Sequence, residues 1–193
     1  MIERHPLKPF LPEGAQTLFL GSFPPPHNRW SIEFFYPNFN NDFWRIMAFI
    51  FTGEKNGFVL PGEKRFDKGR IVQFCTIQGI ALFDTASSVR RQKGNASDKF
   101  LEVIEPTDIE SLLARIPGCS NIATTGQKAT DVLVEHYGCN APSIGSFTEL
   151  NIAGRTVRFW RMPSTSRAYP LPLENKAAAY RKLFESLGCD VNR

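Results

Sequence analysis

Thr17-Leu18-Phe19-Leu20 is a short apolar run closed by Gly21, the pattern of a strand buried on both faces. The segment that follows, as far as Asn40, holds four prolines and several aromatic residues, which excludes a regular helix or a central strand and leaves a long ordered loop. From Asp42 the period changes. Phe43, Ile46, Met47 and Ile50 recur at helical spacing, Asn41 or Asn40 can cap the first turn, Asp42 suits the positive end of the dipole, and Gly53 ends the helix. Gly79 to Asp84 reads as a second strand, and Thr85 to Asp98, with Arg90, Arg91 and Lys93, as a polar loop with a solvated charged face. Thr107-Asp108-Ile109-Glu110 has the reciprocal capping pattern for a helix to about Ile116. A third strand over Asn121 to Thr124 and a helix over Gln127 to His136 follow. Phe147 to Met162 alternates around Ala153-Gly154 as a hairpin whose second arm, Val157-Arg158-Phe159-Trp160, is the last core strand. Glu174 to Leu187 forms a final helix closed by Gly188.

Strands alternating with helices imply a mainly parallel sheet covered on both faces, a three-layer α/β/α sandwich. In such sheets ligands bind beyond the carboxyl ends of the strands. At 193 residues the chain suits one domain, and it shows no internal repeat or low-complexity tract.

Composition narrows the classes. Apolar residues at 42% and charged residues at 22% are ordinary for a folded chain, so wholesale disorder is excluded. The 17 Phe are unusual, and those between Phe10 and Phe66 either build a Phe-rich core or line a pocket for a flat ligand. A net charge of +4 and a pI near 9.0 are compatible with a polyanionic partner. No apolar stretch approaches the roughly 18 residues of a membrane span, and Met1-Ile2-Glu3-Arg4-His5-Pro6 lacks the apolar core of a signal peptide, so a cytoplasmic protein with no membrane association is expected. Cys75, Cys119, Cys139 and Cys189 are scattered without a Cys-x-x-Cys pair; reduced thiols, no metal and no cofactor are expected.

Two loops carry the candidate chemistry. Gly21-Ser22-Phe23-Pro24 leads into Phe35-Tyr36-Pro37-Asn38-Phe39-Asn40-Asn41-Asp42-Phe43-Trp44, and Met162-Pro163-Ser164-Thr165-Ser166 follows the last core strand. Each alone reads as a turn. Together they resemble the two signature motifs of the uracil-DNA glycosylase superfamily, closest to its hypoxanthine- and mismatch-uracil-type branches. The first motif is similar at the Gly-Ser-x-Pro turn, at Tyr36, at Asn41 and at Phe43-Trp44, and the second is matched from Met162 to Ser166. Ile122 to Ala129 resembles the third strand with its Gly-Lys-x-Ala-like turn, and the likeness spans about Thr17 to Ser166. The chain departs from the pattern at Asn38-Phe39, where His-Pro is usual, and at Thr125, where Asn is often found.

The resemblance implies a uracil-DNA glycosylase-like fold and a monofunctional DNA glycosylase in base excision repair. Such an enzyme hydrolyses the N-glycosidic bond of a flipped-out uracil or hypoxanthine, and its partner is damaged DNA. A monomer is expected. Tyr36 would stack on the extruded base and Phe23 would supply a second flat wall, with Ser22 and Thr125 completing the base site. Asn41 can hold the attacking water, since an amide both accepts and donates without a tuned pKa, or it is a helix cap; Asp42 is the second candidate for the water. Ser164, Thr165 and Ser166 would bind flanking phosphates, Arg167 or Tyr169 would enter the minor groove, and Lys128 would meet a phosphate. A second class, a DNA- or nucleotide-binding protein on the same fold without catalysis, is kept open by Asn38-Phe39 and Thr125. A hydrolase with Ser22 as nucleophile is disfavoured, because Gly-Ser-Phe-Pro lacks the Gly-x-Ser-x-Gly elbow.

Overall fold

The structure, a computed structural model, describes residues 1–92 and 100–192. In chain order its elements are β1 (Ile2–Arg4), β2 (Thr17–Gly21), α1 (Phe43–Thr52), α2 (Lys68–Ile77), β3 (Ile80–Asp84), β4 (Ala86–Arg91) and β5 (Leu101–Pro106). These are followed by α3 (Ile109–Arg115), β6 (Asn121–Thr125), α4 (Gln127–Tyr137), β7 (Ser146–Ile152), β8 (Arg155–Met162) and α5 (Leu173–Ser186).

The larger sheet has the order β3-β2-β6-β8-β7. β2 pairs parallel with β3 and β6, β6 pairs parallel with β8, and β7, the first arm of the hairpin, runs antiparallel. Every residue of β2, β3 and β6 is buried, which is why those strands read as continuous runs rather than as alternating ones.

Register assigns the faces. Phe19 lies beside Leu82 and Ala123, and its ring meets Phe43 of α1 at 5.5 Å and Tyr180 and Phe184 of α5 at 6.1 and 6.0 Å. The next residues along, Leu20 and Thr124, point the other way, where the Thr124 hydroxyl lies 2.8 Å from that of Thr130 on α4. Helices therefore cover both faces, the three-layer α/β/α arrangement expected. The helix after Asn41 ends at Gly53, whose φ of 78° lets its N–H bond back to Phe49.

Two expectations are corrected. Residues 86–91, read as a polar loop, form β4, the centre of a small antiparallel sheet of order β1-β4-β5. Its basic residues are strand residues in ion pairs, Arg90 with Glu102 at 3.1 Å and Arg91 with Glu3 at 3.0 Å. Lys93 and the rest of that reading through Asp98 lie outside the described residues. The cap of α3 is Asp108, which accepts from the Ser111 N–H, while the Thr107 hydroxyl donates to the Asp84 carbonyl. Three elements, β1, α2 and β5, were not foreseen.

Candidate functional site

β2, β3, β6 and β8 are parallel, so Gly21, Asp84, Thr125 and Met162 stand at the same edge of the sheet. Strand order reverses there, since β3 lies on one side of β2 and β6 on the other. The loops leaving these ends border a cleft of about 690 Å³, lined by residues 21–25, 29, 35–38, 41, 84, 125–128, 144, 161–166 and 168–170. Both motif loops reach it. Among the described residues no three His, Cys, Asp or Glu side chains gather to hold a metal ion, and no helix is long and apolar enough to cross a membrane.

Tyr36 is the most constrained residue of the cleft. Its φ of 48° is a left-handed backbone conformation that costs a non-glycine residue of the order of 1–3 kcal/mol, so the surroundings must hold it there. The ring stacks on Phe43 at 3.8 Å with 9° between planes, and the hydroxyl lies 2.9 Å from the Thr125 Oγ1. One face is backed by Phe43, and the residue lines the cleft. Thr125 lines the cleft as well, and its hydroxyl holds that of Tyr36. Burial, and after it the charge of Asp84, push the Tyr36 phenol far above its ordinary value of 10.0, against a smaller pull from Thr125.

That shift has a signed consequence for stability. The folded chain keeps the Tyr36 proton at pH values where the unfolded chain releases it, so this contribution is complete below pH 10 and shrinks as pH rises beyond it. Urea midpoints should fall between pH 9 and 11.5, and Tyr36→Phe should make the fall shallower. An unchanged slope would mean that Tyr36 does not retain its proton. Tyr180, raised by burial and by Tyr36, steepens the fall in both proteins.

The two candidates for the water separate in space. Asn41 lines the cleft, and its Oδ1 accepts the Phe43 N–H at 2.9 Å, so the side chain does cap the helix. A second lone pair and the amide NH2 remain for other partners. Asp42 borders a neighbouring depression instead, with one oxygen 3.2 Å from Arg167 Nε and the other 3.0 Å from Lys176 Nζ. Both oxygens are occupied outside the cleft, which argues against Asp42 as a water-activating group.

Ser22 and Phe23 line the cleft as well. The Phe23 ring, however, is 8% exposed, packs with Ala86, Val89 and Leu101, and meets His5 edge-on at 5.3 Å. It buttresses the wall rather than offering a stacking face. Asp84, which sequence reasoning missed, supplies a carboxylate to the cleft: His5 Nε2 lies 2.9 Å from its Oδ2, and its Oδ1 takes no hydrogen bond from another described group. Gly21 makes room for that carboxylate, because a Cβ there would run into Oδ1.

The second loop is held from beneath. Lys176 Nζ donates to the Ser166 carbonyl at 2.8 Å, the Tyr180 hydroxyl donates to the Pro163 carbonyl at 2.9 Å, and the Asp42 N–H donates to the Thr165 carbonyl at 2.8 Å. Ser164 and Ser166 accept the N–H groups of Ser166 and Ala168, each at 3.2 Å, and Thr165 is 3% exposed. Lys128 and Tyr169 line the cleft, whereas Arg167, half exposed, leans onto Asp42 and borders the neighbouring depression. Arg45 also borders that depression, its guanidinium 4.4 Å above the Phe39 ring; burial first, then Arg167, lower its pKa against the pull of Asp42. Arg161 and Arg29 are cleft cations that sequence reasoning missed, Arg161 being oriented by Gln127 Oε1 at 2.5 Å.

No family model and no curated protein matches the chain. Among solved structures it is similar to the solution NMR structure of a candidate uracil DNA glycosylase from Methanosarcina acetivorans, at 22% identity and a TM-score of 0.65, over 97% of this chain and 99% of that one. The likeness is one of fold.

Proposed function

We propose that the chain is a monofunctional DNA glycosylase of the uracil-DNA glycosylase superfamily, of the hypoxanthine- and mismatch-uracil type, which hydrolyses the N-glycosidic bond of a flipped-out uracil or hypoxanthine in base excision repair. The observation that carries this reading is the convergence of Tyr36, Asn41, Asp84 and the loop Met162 to Ser166 on one cleft at the carboxyl edge of a parallel sheet. The fold shared with the Methanosarcina acetivorans protein supports it.

In this proposal the face of Tyr36 opposite Phe43 stacks on the extruded base, an interaction worth about 1–3 kcal/mol per base. Uracil and hypoxanthine share an edge with a ring N–H beside a carbonyl, whereas cytosine and adenine present a bare ring nitrogen there. Asp84 Oδ1, which can only accept, suits the N–H. Backbone N–H groups of Ser22 and Phe23 take the charge developing on the leaving base, and Asn41 positions the water. Ser164, Ser166, Lys128 and Arg161 meet flanking phosphates, while Tyr169 and Arg167 approach the minor groove from the lip. Thr165, being buried, contributes through its backbone.

Incubation with duplexes containing uracil, hypoxanthine, xanthine or a thymine mismatch should leave abasic sites that break only after alkali, because neither motif loop carries a lysine nucleophile, and the reaction should survive chelator, because no three metal-ligating side chains gather among the described residues. No alkali-labile product from any duplex at micromolar protein would refute the proposal.

A further inference from the structure

The N-terminal arm brings a histidine under the cleft floor. β1 pairs with β4, the His5 N–H donates to the Ser87 carbonyl at 2.8 Å, and the imidazole packs at 4.4 Å from the Phe83 ring. Its side chain is 4% exposed and that of Asp84 is 9% exposed. Both ring nitrogens are engaged, Nε2 with Asp84 Oδ2 at 2.9 Å and Nδ1 with Leu7, 3.2 Å from its N–H and 2.9 Å from its carbonyl. The ring therefore has little freedom to turn. With Nε2 donating, Oδ2 is committed and Oδ1 alone is left to the cleft.

We infer that His5 is a positioning residue that dictates which atom of residue 84 faces the base, an inference that rests on the base-contact reading of Asp84. In the native protein it directs an acceptor at the ring N–H of a lactam base. In the tautomer in which Nδ1 accepts the Leu7 N–H and Nε2 donates, Asp84→Asn would hold its amide oxygen on the imidazole and turn the NH2 into the cleft, setting donor against donor. His5 thus makes a near-isosteric change at residue 84 an inversion of hydrogen-bond sense.

The test compares binding of two duplexes, one carrying 2′-fluoro-2′-deoxyuridine, whose glycosidic bond resists cleavage, and one carrying a tetrahydrofuran abasic analogue. Their affinity ratio isolates contact with the base. His5→Ala should reduce the ratio about tenfold, the scale of one hydrogen bond to a charged group, with affinity for the abasic duplex unchanged; His5→Gln, whose amide can donate to Oδ2, should restore most of it. Asp84→Asn should abolish the preference, and adding His5→Ala to it should recover part by freeing the amide to flip. A double variant no better than Asp84→Asn alone, or a His5→Ala that weakens both duplexes equally, would overturn the inference. A wild-type protein indifferent to the base would remove it together with the base-contact reading. A preference that behaves as described, in a protein that releases no uracil from the ordinary duplex, would sustain the role of His5 while refuting excision.

Discussion

Asn41→Ala should lower the single-turnover rate of uracil excision by at least about 10²-fold, a common loss for a positioned catalytic group, with little change in DNA affinity. The same substitution removes the acceptor for the Phe43 N–H, a cap worth about 1 kcal/mol, so a modest shift in urea midpoint accompanies it. Asn41→Ser separates the two roles. Its hydroxyl can still accept the Phe43 N–H, but the shorter side chain carries no amide to reach a water in the cleft. A rate loss in Asn41→Ala that Asn41→Ser fully restores would assign the residue to capping alone. Equal rates for Asn41→Ala and the parent would do the same, and with Asp42 outside the cleft no other candidate for the water was foreseen.

The largest stability loss is expected at Asp42. Lys176 is 1% exposed, and its ammonium is held by Asp42 and the Ser166 carbonyl, so Asp42→Ala leaves a buried charge without its counter-ion. Breaking such a pair costs about 3–5 kcal/mol. Arg167, bonded to the same carboxylate but half exposed, should cost less than about 1 kcal/mol when replaced by alanine. The contrast fixes where the energy lies. Asp42→Ala/Lys176→Met, which removes both charges, should recover much of the loss in urea unfolding. A loss at Asp42 no larger than at Arg167 would mean that water reaches Lys176. Because Lys176 also holds the Ser166 carbonyl, the single variant should disturb the loop from Pro163 to Ser166 and reduce activity as well.

The parallel strands were legible as short continuous apolar runs, and the helices after Asn41 and Thr125 because their apolar positions recur at helical spacing. Residues 86–91 were not legible. Their Ser and Arg side chains suit a strand whose outer residues bond to β1 and β5 and whose charges meet Glu3 and Glu102, a pattern indistinguishable from a solvated loop without its partners. α2 was hidden for a related reason: Ile71 and Cys75 are its buried residues, too few for a visible stripe. At the site, Tyr36 and Asn41 could be named because a motif carries them. Asp84 was placed correctly on a strand, yet nothing in its spacing announced that its carboxylate would face a cleft. His5, 79 residues away, is joined to it only by folding. Asp42 illustrates the converse, a carboxylate beside Asn41 in the chain whose counter-charge lies 134 residues along and draws it out of the cleft.

Hydrolytic release of a deaminated base in this cleft is read out by mass spectrometry of the free base under single-turnover conditions. Protein in excess over a duplex carrying a single uracil or hypoxanthine should release that base in one-to-one ratio with an abasic, unbroken strand, while Asn41→Ala releases it at least about 10²-fold more slowly. Tight binding of the same duplex with neither base released would contradict the claim and leave the chain a DNA-binding protein without catalysis.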